Sequence, residues 1–291
     1  MDGDKRHVVV RLSGGLGNQL FQLSAGLAAT RMMEAGSVFL DTRFLNCYEK
    51  QRRLEIEFIA KYFSNVLHGE PEMGFQSMAS RLRLGRVMDR QFGPVGLISS
   101  ANALCRLAGS GCRLLVLDGY FQQPEVLFFE AARIKLRDQL LEECRDMLKQ
   151  FMMDERPLIG VHIRRGDYVS SKAARSIFRT IPLDYYREAV SKFDSSSQFL
   201  IFSDDAAYSD KFSKEVGGLN VSAIGLSLSD EFCLLAACNH YIIANSTFSW
   251  WAGYLGHSPN KRLIAPRNWY VDSLRSKANS LLLPYFELMD A

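Results

Sequence analysis

Short apolar runs that end in polar or glycine-rich residues alternate along this chain with stretches whose apolar positions recur at helical spacing. His7 to Leu12 predicts a strand, and Ser13-Gly-Gly-Leu-Gly-Asn-Gln19 turns it into a helix from about Gln19 to Glu34. Ser37 to Leu40 and Leu114 to Leu117 predict further strands, and Glu125 to Met153 a long amphipathic helix. Leu158 to Ile163 predicts a short buried strand in the second half. Gln198 to Phe202, Val221 to Ile224, His240 to Ala244 and Arg262 to Ala265 follow it as strands. Helices are expected at 183–193, 206–216, 229–238 and from Asn245 to Leu255, and polar Ser170 to Arg179 as a flexible loop. Residues 50–112 show only mixed helical patterns and scattered arginines (Arg52, Arg53, Arg81, Arg83, Arg86). Strand alternating with helix argues parallel, doubly wound sheets.

Parallel strands point one way, so their polar ends fall on one edge of the sheet, where such sheets bind ligands. His162 and Arg164 to Asp167, Ser203 and Asp204, and Asn245 to Phe248 all stand at such ends. Arg164 and Arg165 offer a guanidinium fork suited to phosphate oxygens. The plainer alternative is an Arg165–Asp167 ion pair on a solvated turn. Ser246 to Ser249 would give hydroxyls and helix N-terminal N–H groups to an anion, or simply cap the helix. Asp204 or Glu231 would take a base or ribose hydroxyl. In the first half, the glycine turn at Gly15 and Gly17 offers the same kind of seat. It departs from the dinucleotide fingerprint because Leu20 stands where the third glycine belongs. A turn using glycine for its backbone freedom explains it equally well. The aromatic, amide-rich turn Asp118 to Pro124 suits either a sugar or simple packing.

At 291 residues the chain is long enough for two domains, with 47% hydrophobic and 23% charged residues. A net charge of +3 is too mild for a nucleic-acid partner but allows a local anion pocket. The six cysteines form no metal-binding spacing and read as reduced core thiols, so no metal site is expected. Two glycosylation-like triplets, at Asn220 and Asn245, read as chance. Met1 to Arg6 are charged and lead straight into a strand, and no apolar run approaches the ~20 residues of a membrane span. A cytoplasmic protein is expected, any contact with the inner face of a membrane being peripheral.

Five segments, in order, resemble the α1,2-fucosyltransferases of bacterial type. They are Ser13-Gly-Gly-Leu-Gly-Asn-Gln-Leu-Phe-Gln22, Gly119-Tyr-Phe-Gln122, His162-Ile-Arg-Arg-Gly-Asp-Tyr-Val169, Phe202-Ser-Asp-Asp205 and Asn245-Ser-Thr-Phe-Ser-Trp-Trp251. The resemblance implies a GT-B-type α/β fold, two Rossmann-like domains with parallel sheets facing a cleft: 1–153 on the acceptor side, 154–291 holding the nucleotide sugar. It implies transfer of L-fucose from GDP-β-L-fucose to the 2-hydroxyl of a terminal β-galactoside, inverting, without metal or other cofactor. Carried over, Arg164 would bind the diphosphate, supported by His162. Ser246, Thr247 and Phe248 would hold phosphate and sugar, with Asn245 and Ser203 beside them. Asp204 and Glu231 would meet guanine or ribose. Gly15, Gly17, Asn18 and Gln19 would meet the donor from the first domain. Asp167 and His162 both stand as candidates for the general base. Two departures stand out: Trp250-Trp-Ala-Gly-Tyr254 replaces Trp-Trp-Gly-Ala-Trp, and Glu231 replaces an aspartate. A non-catalytic GDP-sugar or glycan-binding module is the alternative reading.

Overall fold

Val8, Val9 and Val10 are buried on both faces of their strand, and a strand of that kind needs cover on both sides. The computed structural model describes residues 6–47, 53–69, 89–109, 111–128, 130–151, 156–256, 258–274 and 280–291. Contacts divide the chain into two units, Met1–Ala132 and Arg133–Ala291. The boundary therefore falls ahead of the one read at residue 153, because most of the helix Glu130–Phe151 belongs with the second unit.

The first unit is one sheet of β1 (His7–Arg11), β2 (Val38–Asp41), β3 (Val66–Gly69), β4 (Arg90–Phe92), β5 (Val95–Ile98) and β6 (Leu114–Leu117). Its order is β3-β2-β1-β6-β5-β4, parallel except for the β4–β5 hairpin. β3, β4 and β5 lie in the stretch that showed only helical patterns. Of the arginines noted there, Arg52, Arg81, Arg83 and Arg86 lie outside the described residues. Helix α1 (Leu16–Met33) joins β1 to β2 and is buried around most of its circumference by small and apolar side chains. It begins at Leu16, three positions ahead of the expected start, because Gly14 takes the left-handed φ of +73° that closes the turn.

The second unit is built from β7 (Leu158–Ile163), β8 (Gln198–Ser203), β9 (Leu219–Asn220), β10 (His240–Ile242), β11 (Leu263–Pro266) and β12 (Glu287–Met289). All neighbours are parallel, in the order β12-β11-β10-β7-β8-β9. Counted from its own first strand this is the doubly wound 3-2-1-4-5-6 arrangement of dinucleotide-binding folds. The longer helices are α2 (Glu130–Phe151), α3 (Leu183–Val190), α4 (Ala206–Val216), α5 (Leu228–Ala236) and α6 (Thr247–Leu255). Asp205 caps α4 through the Tyr208 N–H, and left-handed Gly217 ends it. Trp250 and Trp251 are fully buried, and Tyr254 stacks on Trp250 at 5.1 Å. The Trp-Trp-Ala-Gly-Tyr variant therefore forms a closed aromatic cluster.

Two expectations are corrected here. The apolar run at Val221 forms a 3-10 turn, Val221–Ala223, and the strand is the two residues before it. Ser170 to Arg179 is ordered: short helices Gly166–Ser170 and Lys172–Arg175 lead to a β-bridge between Phe178 and Tyr270. Among the described residues no helix is long and apolar enough to cross a membrane.

Candidate active site

The order of the second sheet reverses between β7 and β10, which lie side by side. The chains leaving their carboxyl ends part to opposite faces, and the crevice between them is where such folds bind ligands. β7 delivers His162 and then Arg164 to this point. β10 delivers Asn245, Ser246, Thr247 and Phe248.

Arg164 is held by its neighbours. Nη1 lies 2.9 Å from Oδ2 of Asp204, and Nη2 donates to Oδ1 of Asp167 at 2.5 Å. Its guanidinium sits 5.4 Å from the centre of the Tyr168 ring, whose hydroxyl donates to the Asn245 carbonyl. Tyr168 in turn stacks nearly parallel on Phe178 at 4.5 Å. Tyr168 belongs to this support, a role not assigned above; its signal is its place in the His162–Val169 segment, four residues after Arg164. About a quarter of the Arg164 side chain remains exposed. Arg165 points elsewhere. It pairs with Asp205 at 3.3 Å, and its guanidinium carbon lies over the Tyr208 ring, 3.6 Å from the centre. The expected two-arginine fork is thus a single arginine, and Asp167 pairs with Arg164 and not with Arg165.

His162 is 5% exposed, and its ring lies 5.4 Å from that of Phe248, which packs edge-on against Phe232. Burial, and behind it the charge of Arg164, push its pKa down to about 3, so the imidazole is neutral. Its Nδ1 is buried without a hydrogen-bond partner among the described residues. Ser246 is the N-cap of α6, yet its side chain makes no capping bond. That fits a seat for an anion better than it fits a simple cap. Glu231 lies in the first turn of α5, half-buried, and burial raises its pKa.

Other candidates make bonds within the second unit. Ser203 accepts from the Asp205 N–H, and its own N–H donates to Ser222. Asn245 is buried, and its amide donates to the carbonyls of Arg179 and Trp269, both at 2.7 Å. Asp204 accepts the Arg165 N–H at 2.7 Å besides meeting Arg164. Each is a brace of the crevice in this structure. Asn220 and Asn245, the two glycosylation-like sites, are both buried.

In the first unit the corresponding place, between β1 and β6, is closed by its own hydrogen bonds. Gln19 is fully buried, donates to the carbonyls of Gly14 and Arg53, and accepts the Glu55 N–H. Gln122 donates to Asn18 at 3.0 Å, Arg11 pairs with Asp118 at 2.9 Å, and Gln22 donates to the Gly119 carbonyl. The Glu55 carboxylate accepts from the Leu16 N–H at the start of α1. Gly17 is buried inside that first turn and Gly15 is its partly exposed N-cap.

Among the described residues no three His, Cys, Asp or Glu side chains cluster as metal ligands do. A doubly wound sheet with a partly exposed arginine and a helix N-terminus at its switch point is an arrangement on which such folds seat anions. With a second Rossmann-like sheet in the same chain, the architecture is that of a GT-B-like glycosyltransferase. The chain belongs to glycosyl transferase family 11, whose family model matches residues 2–286. It is 28% identical to the O-antigen biosynthesis glycosyltransferase WbnK of Escherichia coli, over 91% of this chain and 96% of that one. It is 27% identical to an alpha-1,2-colitosyltransferase of Escherichia coli, over 90% and 92%. It is 32% identical to the galactoside 2-alpha-L-fucosyltransferase Sec1 of Mus musculus, over 46% of this chain and 38% of that one. The fold is shared with the fucosyltransferase NodZ from Bradyrhizobium at a TM-score of 0.53 and 17% identity, covering 88% of this chain and 95% of that chain.

Proposed function

We propose that this protein transfers L-fucose from GDP-β-L-fucose to the 2-hydroxyl of a terminal β-galactoside, with inversion and without a metal. The observation that carries the reading is Arg164, partly exposed and braced at the switch point beside a helix N-terminus whose cap is unmade. The mouse relative's galactoside 2-fucosyl activity supports it.

In the reaction the bond from fucose C1 to the β-phosphate oxygen breaks, and the galactose O2 bonds to C1 from the opposite face. Negative charge grows on the departing diphosphate. A fixed cation aimed there contributes about 3 kcal/mol to transition-state stabilisation. Arg164 supplies that cation, and the N–H groups of Thr247 and Phe248 add donors. The half-exposed pair between Arg164 and Asp167 is cheap to open. The diphosphate takes the place of Asp167 on Nη2, and the released carboxylate accepts the proton of the attacking hydroxyl. His162 is a poor base, since its conjugate acid is suppressed to about 3. It acts as a neutral wall to the nucleotide, and Glu231 accepts from the donor N–H groups of guanine.

The test is GDP release from GDP-fucose with and without lactose, in EDTA. Lactose-stimulated release with an α-configured product by NMR is expected. GDP binding with no release across a panel of β-galactosides would overturn the transfer reading in favour of a binding module. A second reading, colitosyl transfer, rests on the alpha-1,2-colitosyltransferase matched over 90% of the chain, and GDP-colitose as rival donor decides it.

A further inference from the structure

We infer that Asp204 is the positioning residue of Arg164 and touches neither base nor ribose, and that Gly166 is a glycine to let it reach. The inference rests on the donor reading above.

Asp204 stands just past the end of β8, the strand beside β7. One carboxylate oxygen, Oδ1, accepts the Arg165 backbone N–H at 2.7 Å. The other, Oδ2, meets Nη1 of Arg164 at 2.9 Å. A single carboxylate thus fixes the main chain directly after the arginine and the head of its side chain. Both acceptor atoms are committed to the protein, which leaves little for a nucleotide hydroxyl. Asp167 reaches the same guanidinium from only three residues away and is 45% exposed, so it is the exchangeable partner. Asp204 is 25% exposed and is locked to a strand neighbour.

Oδ2 passes close over Gly166. A Cβ built there would lie 2.3 Å from Oδ2 and 3.0 Å from the carboxyl carbon of Asp204, closer than real side chains approach. Gly166 has no left-handed φ, so alanine fits its backbone, and its one conflict is with the carboxylate that holds Arg164. The Arg-Arg-Gly-Asp run therefore encodes an arginine, an exchangeable anion and a gap through which a second strand grips that arginine.

The test is a double-mutant cycle on the full chain, read by GDP affinity in calorimetry and by kcat and KM for transfer to lactose. A group that acts through Arg164 couples fully to it, whereas an independent contact adds. Asp204→Asn should lower kcat on the order of a hundredfold, as for a misplaced catalytic group, with the KM for lactose little changed. It should weaken GDP in the wild-type background and cost nothing further in Arg164→Ala. Gly166→Ala reaches the same contact from the other side and should show the same pattern, which covers a failure of Asp204→Asn to fold. If Asp204→Asn weakens GDP equally in both backgrounds, Asp204 holds the nucleotide directly and the inference is overturned. It is also overturned if neither variant changes kcat. A wild-type chain that does not bind GDP would overturn the donor reading, and this inference with it.

Discussion

His162 and Phe248 meet ring to ring, 5.4 Å between centroids, so that the end of β7 and the start of α6 are wedged together by a histidine kept neutral. The wedge has a consequence for stability. The unfolded chain protonates this histidine near its ordinary value of 6.5, and the folded chain holds out until about 3. Between those values the unfolded state binds more protons, so stability is full above about pH 6.5 and is lost as the pH falls toward 3. Replacing His162 by glutamine should remove about 2 kcal/mol of the loss between pH 7 and pH 5. Urea midpoints at the two pH values for both chains would show it; equal losses would mean the imidazole is not held neutral.

Arg164→Ala should lower kcat by about a hundred- to a thousandfold. The melting temperature should stay close to wild type, since the arginine is part-exposed and paired only at the crevice. Arg164→Lys should recover little, because a point charge cannot reproduce two directed contacts. A variant with near-native turnover would remove Arg164 from the chemistry.

Burial raises the pKa of Glu231, which means that its charge is costly to keep in the folded chain. Glu231→Gln removes that cost and should raise the melting temperature at pH 7. If the carboxylate accepts from guanine, the same change should weaken GDP while leaving an inorganic diphosphate probe unaffected. Unchanged GDP affinity would leave Glu231 with no part in base recognition.

Gln19→Ala should destabilise the chain by about 1–3 kcal/mol, the cost of leaving buried partners unsatisfied. It should leave GDP affinity unchanged in whatever fraction folds. The side chain is spent on Gly14, Arg53 and Glu55. A stable variant with impaired GDP binding would return Gln19 to the donor site.

Which parts were legible follows from what local patterning encodes. β7 was bounded to the residue, because a buried run with Leu158, Ile159, Val161 and Ile163 gives way at once to Arg164, Arg165, Gly166 and Asp167. The residues at the switch point followed, since polar groups after apolar runs mark the functional edge. β9 was misplaced because an edge strand of two residues carries almost no pattern, while Val221 beside it is apolar for reasons of core packing. The order in 166–178 was illegible, because Phe178 and Arg179 are tied to Tyr270 and Trp269, some ninety positions away. Gln19 and Asn245 were ambiguous for a different reason. Amides in turns suit a ligand, but they also suit backbone groups that no helix or strand satisfies, and here the backbone took them.

Glu55 places an acid of the protein's own on the first N–H of α1. A chain that builds the 3-2-1 strand run twice would otherwise present two rival berths for phosphate, and one donor molecule could settle in either. On the proposed donor reading, filling the first berth from within leaves one berth per chain, in the half that carries Arg164. On that same reading the first half is released from nucleotide duty, and its loops are open to vary with the second substrate.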